Sequence, residues 1–172
     1  MKKIGILLLL AIVSCTSTQS FHTEMYKGQE ILVGQTPRTA LEKDNYKTWF
    51  DENYKEYTPD AKLISQLKPV INNYTFTIVM GTWCGDSREQ VPALYKVLDA
   101  SRYKTQPDLY CVPRKYKDYE PTKKYDLIRV PTIIVHKNGK KIGRIIEYPM
   151  QSIEADLWQI INGKYRHELE NE

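Results

Sequence analysis

The sequence is poor in cysteine and histidine, the residues that most often carry redox and metal chemistry. Its 172 residues include three cysteines and three histidines. The histidines, His22, His136 and His167, are scattered along the chain without the spacing of metal ligands. We therefore predict surface positions for all three histidines, no metal site and no bound cofactor.

The sequence also lacks a strong charge of either sign. Its 25 basic and 21 acidic residues leave a formal net charge of +4, and removal of residues 1–14 would lower it to +2 (23 basic minus 21 acidic). No stretch combines a basic stripe with interleaved aromatic residues, the pattern typical of nucleic-acid binding. Nucleic acid is therefore not an expected partner.

The N-terminus consists of two lysines followed by a short apolar run. Lys2 and Lys3 precede the run Ile4–Val13, which is too short to span a bilayer as a helix. The segment ending Ile-Val-Ser-Cys15 resembles a bacterial lipoprotein signal, and Thr16 after the cysteine favours outer-membrane sorting. This resemblance implies a signal peptide over residues 1–14 and a lipid on Cys15, with an ordinary secretory signal as the alternative.

That N-terminus sets the expected location of the protein. It predicts the cell envelope of a Gram-negative-type bacterium, with a lipid anchor in the outer membrane and the protein facing the periplasm. Residues 15–36 are predicted to form a tether and a short extended segment. Partners of such a protein would be the membrane, through the anchor, and other exported molecules.

The remainder of the chain has the composition of a single packed domain. Hydrophobic residues make up 41% of the sequence, against eight glycines and nine prolines. Periodicity predicts, in order, helices over Glu42–Tyr57 and Ala61–Leu67, a strand over Tyr74–Gly81, a helix, a strand over Pro107–Val112, a short helix, a hairpin around Asn138–Gly139, and a helix from Ile153 to about Ile161. This order predicts an α/β sandwich with a mixed sheet.

The segment GTWCGDS, residues 81–87, is the best candidate for chemistry. A cysteine at the first turn of a helix meets unpaired backbone amides and the positive end of the helix dipole, and both favour the reactive thiolate. Ser87, one turn further on, could donate a hydrogen bond to that thiolate, whereas the carboxylate of Asp86 would oppose it. Cys84 is thus predicted to be reactive, the alternative being an inert cysteine at a helix cap.

Several motifs in fixed order resemble thioredoxin. They are Trp83-Cys84 between a strand and a helix, Pro92 eight residues after Cys84, Val130-Pro131-Thr132 before a strand, and the phrase YDLIRVPTIIVHKNGK. The match extends from about Tyr74 to Ile161. It implies a thioredoxin-like three-layer sandwich with a mixed central sheet over residues 37–172, including an added N-terminal helical segment over residues 37–73.

The resemblance also implies roles for individual residues. Cys84 and Ser87 would be catalytic, and a cis Pro131 would lie beside Cys84 and offer backbone groups to an extended peptide. The substrate-binding residues would be Trp83, Gly85, Asp86, Val130, Pro131 and Thr132.

Two departures from thioredoxin matter for function. Ser87 replaces the resolving cysteine, and Ile78 stands where thioredoxins keep a buried aspartate. A mixed disulfide on Cys84 would then need a second thiol for its release. That thiol could belong to the substrate, to a small molecule such as glutathione, or to Cys111, which alternatively is a buried strand residue acting as a small hydrophobe.

Two functions of different class are therefore expected. The first is a membrane-tethered monothiol thiol-disulfide oxidoreductase or isomerase that acts through Cys84 on cysteine-containing exported proteins or small, glutathione-like thiols. The second is a non-catalytic module that holds peptides in the groove beside the cis-proline. Retention of Cys84 beside Trp83 favours the first, whereas Ser87 and Ile78 favour the second.

Overall fold

A six-stranded mixed sheet forms the centre of the computed structural model, which describes residues 20–165, 167 and 169. The strands are β1 (Phe21–Tyr26), β2 (Gln29–Gln35), β3 (Thr75–Met80), β4 (Asp108–Cys111), β5 (Thr132–Lys137) and β6 (Lys140–Ile146), arranged in the order β1-β2-β4-β3-β5-β6. Strand β3 pairs in parallel with β4 and antiparallel with β5. The predicted α/β class with a mixed sheet is therefore confirmed.

Within the described part of the chain, six α-helices accompany the sheet. They are α1 (Arg38–Leu41), α2 (Asp44–Glu56), α3 (Ala61–Leu67), α4 (Gly85–Ala100), α5 (Glu120–Lys123) and α6 (Ile153–Ile161), and two 3₁₀ turns lie at Ile71–Asn73 and Tyr116–Asp118. The helices predicted over residues 42–57, 61–67 and 153–161 are confirmed within two residues at each end. Pro92 lies inside α4, which starts directly after Cys84.

Strand β3 explains why the GTWCGDS segment lies at the edge of the core. Its sequence TFTIVM is apolar and rich in β-branched residues, so the strand can be buried on both faces. Phe76, Ile78 and Met80 belong to the main core on the helical side, whereas Val79 packs on the other side. Because side chains alternate along a strand, this pattern fixes which face each residue meets.

The added N-terminal helices are joined to the closing helix by a buried carboxylate. Glu154 on α6 is only 2% exposed and accepts hydrogen bonds from the Tyr57 hydroxyl at 2.7 Å and the Asp60 amide at 2.8 Å. These bonds satisfy a charge that would be costly to bury alone. Helices α2 and α3 are therefore part of the same packed unit as the sheet.

The opposite face of the sheet is covered by much less structure. Val79, Val112 and Val130 form a small buried cluster there, under the segment that holds the Tyr116–Asp118 turn and α5. The third layer is consequently short, and it lies next to the end of β3 from which the Cys84 loop emerges.

The N-terminal hairpin differs from the prediction. Residues 15–36 are predicted to be a tether and one extended segment, but Phe21–Tyr26 pairs along its whole length with β2. The Lys27–Gly28 turn has positive φ at both residues (49° and 76°), as tight hairpins require. Five of the six residues of β1 are exposed, so its sequence carries no alternation from which a strand could be predicted.

The part of the chain before residue 20 lies outside the described residues, and with it the predicted signal peptide and Cys15. Within residues 20–165, no helix combines the length and the apolar character needed to cross a bilayer.

Close packing between β6 and α6 leads to a stability prediction. A Cβ atom on Gly143 would lie 2.9 Å from Cγ2 of the buried Ile160, closer than van der Waals contact allows. We expect Gly143→Ala to lower the free energy of unfolding by about 1–3 kcal/mol, measured by urea denaturation.

Gly85→Ala is the matched control, because no atom lies within 4 Å of its added Cβ. It should leave the free energy of unfolding unchanged or raise it by up to about 1 kcal/mol. An equal decrease in the free energy of unfolding of both variants would contradict this account of the β6–α6 contact.

Candidate functional site

Cys84 lies at the junction of strand, loop and helix. It is the N-cap residue of α4, and its backbone amide donates to the Gly81 carbonyl at 2.9 Å, which closes the loop after β3. The side chain is half-buried, with Sγ 3.4 Å from the Val130 carbonyl oxygen and 3.7 Å from Oδ2 of Asp86. The thiol therefore reaches solvent while its position is fixed by two acceptors.

Trp83 holds the loop in this shape. Its indole Nε1 donates to the Val112 carbonyl at 2.9 Å, and its ring stacks on Tyr116 with a centroid distance of 6.1 Å. A Cβ on Gly81 would lie 2.4 Å from the indole, so only glycine fits at that position. Trp83 therefore lies beside the thiol, as predicted, and its contacts also stabilise the conformation of the loop.

Ser87 has a different partner from the one predicted. Its side chain is fully buried, and its Oγ accepts a hydrogen bond from the Gly81 amide at 3.3 Å. Among the described residues it forms no hydrogen bond with Cys84. Ser87 therefore contributes to the site by closing the loop between β3 and α4, rather than by contacting the sulfur.

Asp86 is linked to a residue that the sequence does not suggest. Its Oδ1 accepts a short hydrogen bond from the hydroxyl of Tyr148, in the segment after β6. This hydrogen bond, more than burial, raises the pKa of Tyr148 to about 12, so the phenol keeps its proton over the physiological range. The contact keeps the Asp86 carboxylate directed toward Cys84.

The segment before β5 forms the wall opposite the helix. The Val130–Pro131 peptide bond is cis, as the resemblance implies, and Val130 directs its carbonyl oxygen at Cys84. Thr132 is fully buried, and its Oγ1 donates to the Arg129 carbonyl at 2.6 Å. Thr132 thus stabilises the turn before β5 and does not itself line the groove.

The groove beside Cys84 has a volume of about 570 Å³. Four segments form its walls: the tip of the β1–β2 hairpin, the Cys84 loop, the chain after β4, and the chain around Val130. Its charged lining residues are Lys27, Asp86, Arg114, Arg129 and Glu147. Of the predicted substrate-binding residues, Trp83, Asp86 and Val130 line this groove, while Gly85 is exposed at the start of α4.

Cys111 is separated from this groove. It is fully buried in β4 and belongs to the main core on the helical side, whereas Cys84 packs against the cluster around Val79. Both cysteines are free thiols, and burial raises the pKa of Cys111 to about 12. The interpretation of Cys111 as a buried strand residue is confirmed, and its environment does not favour a thiolate.

Two further sequence predictions can be compared with the structure. Ile78, at the position where thioredoxins keep an aspartate, is fully buried and apolar contacts surround it. His167 was predicted at the surface, but it is only 6% exposed, with Nε2 3.4 Å from the Tyr148 carbonyl oxygen. That prediction was wrong, because a lone histidine near a chain end gives no periodic signal of burial.

Sequence reasoning also missed residues that line or support the groove. Tyr26 and Lys27 come from the hairpin in place of the predicted tether and extended segment, Arg114 from a lysine-rich loop, and Tyr148 from a turn. None of them follows a motif. The unusual number of tyrosines, 13 in the sequence, is the one signal that points toward Tyr26 and Tyr148.

Comparison with known proteins adds a distant relative and two structural neighbours. No protein-family model matches the chain. A thioredoxin from Alicyclobacillus acidocaldarius subsp. acidocaldarius is 27% identical over 97 residues, which is 55% of this chain and 83% of that protein. A Pseudomonas aeruginosa protein of unknown function matches with a TM-score of 0.54 at 14% identity, over 76% of this chain and 82% of that chain. An HIV epitope scaffold matches with a TM-score of 0.53 at 14% identity, over 76% of this chain and 84% of that chain.

These findings agree with the overall architecture of the sheet and its helices. The fold is thioredoxin-like, as predicted, and the Alicyclobacillus thioredoxin is a distant relative over 55% of this chain.

The contact between Asp86 and Cys84 leads to a prediction about thiol reactivity. A carboxylate 3.7 Å from the sulfur opposes the negative charge of the thiolate. We expect Asp86→Asn to increase the rate of Cys84 alkylation by iodoacetamide at pH 7 by roughly threefold to tenfold. Mass spectrometry of the alkylated protein over time would measure it.

Glu89→Gln serves as the control, because Glu89 is exposed on the same helix and makes its side-chain hydrogen bond with Gln90. It removes an equal charge and should leave the rate within about twofold, since an exposed charge is screened by salt. A slower alkylation of Asp86→Asn would refute an opposing effect of this carboxylate.

Proposed function

We propose that this protein is a thiol-disulfide oxidoreductase or isomerase that acts through the single thiol of Cys84. The observation that carries the proposal is the position of the Cys84 sulfur: half-buried, at the start of α4, and open to a groove of about 570 Å³. A purely structural cysteine would be expected inside the core, as Cys111 is. The distant thioredoxin relative supports the same kind of chemistry.

The reaction proceeds by two thiol-disulfide exchanges. The Cys84 thiolate attacks one sulfur of a substrate disulfide, a new S–S bond forms to that sulfur, and the other sulfur leaves as a thiolate that takes up the proton lost by Cys84. A second thiol then attacks the mixed disulfide, bonds to the substrate sulfur and releases Cys84. The second thiol is oxidised to a disulfide as Cys84 returns to the reduced form, so electrons balance and no oxidant or reductant besides these thiols and disulfides takes part.

The second thiol comes from outside the protein. Ser87 has no sulfur, and Cys111 lies buried on the other side of the sheet with its pKa raised to about 12. If a thiol of the substrate itself releases Cys84, the protein acts as an isomerase. If a small thiol does so, that thiol is the reductant: Cys84 takes the small-thiol half of a mixed disulfide, a second small thiol removes it as a symmetric disulfide, and the protein acts as a reductase of mixed disulfides.

Backbone atoms of the groove support binding of an extended substrate. In the free thiol, Cys84 Sγ lies 3.4 Å from the Val130 carbonyl oxygen. Once the sulfur is part of a mixed disulfide it has no proton to donate, and the Val130 carbonyl is free to accept a hydrogen bond from a substrate amide. The wall before β5 would thus hold the chain that carries the reacting sulfur.

The proposal is tested by brief exposure of the reduced domain, residues 20–172, to oxidised glutathione, followed by intact mass spectrometry. We expect one glutathione per molecule in the unchanged protein and none in Cys84→Ala, because Cys84 alone combines exposure with an open groove.

Cys111→Ala is the matched control and should gain the same single adduct. Loss of two hydrogens without an adduct would instead mean a Cys84–Cys111 bridge. Absence of any adduct at pH 8, where an unstructured cysteine peptide reacts, would overturn the catalytic proposal.

A non-catalytic peptide-binding module is the second candidate. Two observations favour it: Ser87 is buried and engaged with Gly81, and Ile78 provides no group for proton transfer. In that case Cys84→Ala would retain full affinity for peptides that bind the groove, and the unchanged protein would accelerate no exchange.

We further propose that the protein is anchored to the membrane by a lipid on Cys15 and faces the periplasm. The support is the sequence of residues 1–15, which resembles a lipoprotein signal. We expect Cys15→Ser to abolish incorporation of an alkyne-labelled fatty acid in a Gram-negative host and to move the protein from the membrane to the soluble fraction.

Cys84→Ser controls for the loss of a cysteine elsewhere and should keep the label. Equal labelling of Cys15→Ser and the unchanged protein would contradict lipidation at this site. Loss of membrane association without any label in either protein would favour an ordinary secretory signal.

A further inference from the structure

The two sides of the Cys84 groove differ in how their charges are satisfied. On one side, Glu147 pairs with Arg129 through a short ion pair, and Asp86 accepts from Tyr148. On the other side, Lys27 and Arg114 form no ion pair with any described residue. That side therefore carries positive charge that no carboxylate of the described chain balances.

Arg114 is held in place although it has no carboxylate partner. Its guanidinium lies 4.3 Å from the centre of the Trp83 ring, a cation–π contact. It also lies beside Tyr26, and its interaction with the phenol is the largest cause of a lowered pKa for Tyr26. Because an arginine fixed in this way has further donors to offer, it is suited to a planar carboxylate.

The hairpin brings the second cation to the same wall. The tight turn at Lys27–Gly28 lies at the tip of β1 and β2, and Tyr26, Lys27 and Gln29 all line the groove. Strand β2 is in turn connected to the Cys84 loop by a hydrogen bond from the Leu32 amide to Thr82 Oγ1 at 3.1 Å. The tip is thereby positioned relative to Cys84.

We propose that Lys27 and Arg114 form an anion subsite that selects thiols and disulfides with a carboxylate close to the reacting sulfur. The inference deepens the proposed function and rests on it for the role of the subsite in exchange. Such a carboxylate belongs either to a small thiol peptide or to an acidic residue beside a cysteine in an exported protein.

The test compares three symmetric disulfides: oxidised glutathione, which carries carboxylates, cystamine, which is cationic, and bis(2-hydroxyethyl) disulfide, which is neutral. Rates of adduct formation at Cys84 are each divided by the rate with a free cysteine peptide, which removes the intrinsic reactivity of each probe. At low ionic strength the normalised rate for oxidised glutathione should exceed that for cystamine by about tenfold. At about 1 M salt most of the difference should vanish.

Arg114→Gln should lower the normalised rate with oxidised glutathione by about threefold to tenfold and leave the neutral probe within about twofold. Lys27→Gln should act in the same direction and serves if Arg114→Gln fails to fold. Lys62→Gln, an equal charge change on the exposed face of α3, is the control and should change neither rate. Equal normalised rates for all three probes would overturn the subsite.

Binding without chemistry separates this inference from the proposed function. S-methylglutathione should perturb the NMR signals of Arg114 and Lys27 in Cys84→Ala, and Arg114→Gln should weaken that binding by at least about threefold. If no disulfide reacts with Cys84 but this binding is seen, the proposed function fails and the subsite stands. If neither binding nor charge discrimination is seen, the subsite fails.

The source of the carboxylate is distinguished by a further probe, a disulfide-linked peptide whose cysteine lies between two aspartates. A normalised rate above that of oxidised glutathione would support an exported protein as the occupant. A lower rate would support a small thiol peptide.

Discussion

The packing of one indole ring against the Cys84 loop is the constraint on which the site depends. Trp83 donates to the Val112 carbonyl, stacks on Tyr116 and leaves room only for glycine at position 81. The loop is therefore fixed between the end of β3 and the short third layer of the sandwich. Because the same ring also supports Arg114, it joins the reactive sulfur to the charged wall of the groove.

The structure shows how a thioredoxin-like fold can keep an accessible thiol without the second cysteine. Ser87 takes the place of that cysteine in sequence, yet it turns into the core and binds the Gly81 amide. Ile78 provides a buried apolar side chain in place of an aspartate, and the carboxylate of Asp86, held by Tyr148, lies 3.7 Å from the sulfur. In the proposed function, Cys84 therefore exchanges as a single thiol, and release of the substrate depends on a thiol supplied from outside.

The core of the fold could be predicted because its signals are local and periodic. Strand β3, helix α4 and the Asn138–Gly139 hairpin each follow from apolar spacing or turn chemistry, and Cys84 follows from its place between a strand and a helix. The β1–β2 hairpin could not be predicted, because β1 is exposed and gains its order from pairing with β2. The partner of Asp86 is likewise set by tertiary packing, which brings Tyr148 to it from 62 residues away, whereas Ser87 binds the amide of Gly81 within its own loop.

The central claim is that Cys84 turns over as a lone thiol. The most direct measurement follows exchange between excess oxidised glutathione and a fluorescent thiol peptide in the presence of substoichiometric protein. The account predicts many exchange events per protein molecule, abolished in Cys84→Ala and retained in Cys111→Ala. A single stoichiometric adduct on Cys84, with no acceleration of exchange beyond it, would contradict the account and leave a peptide-binding fold.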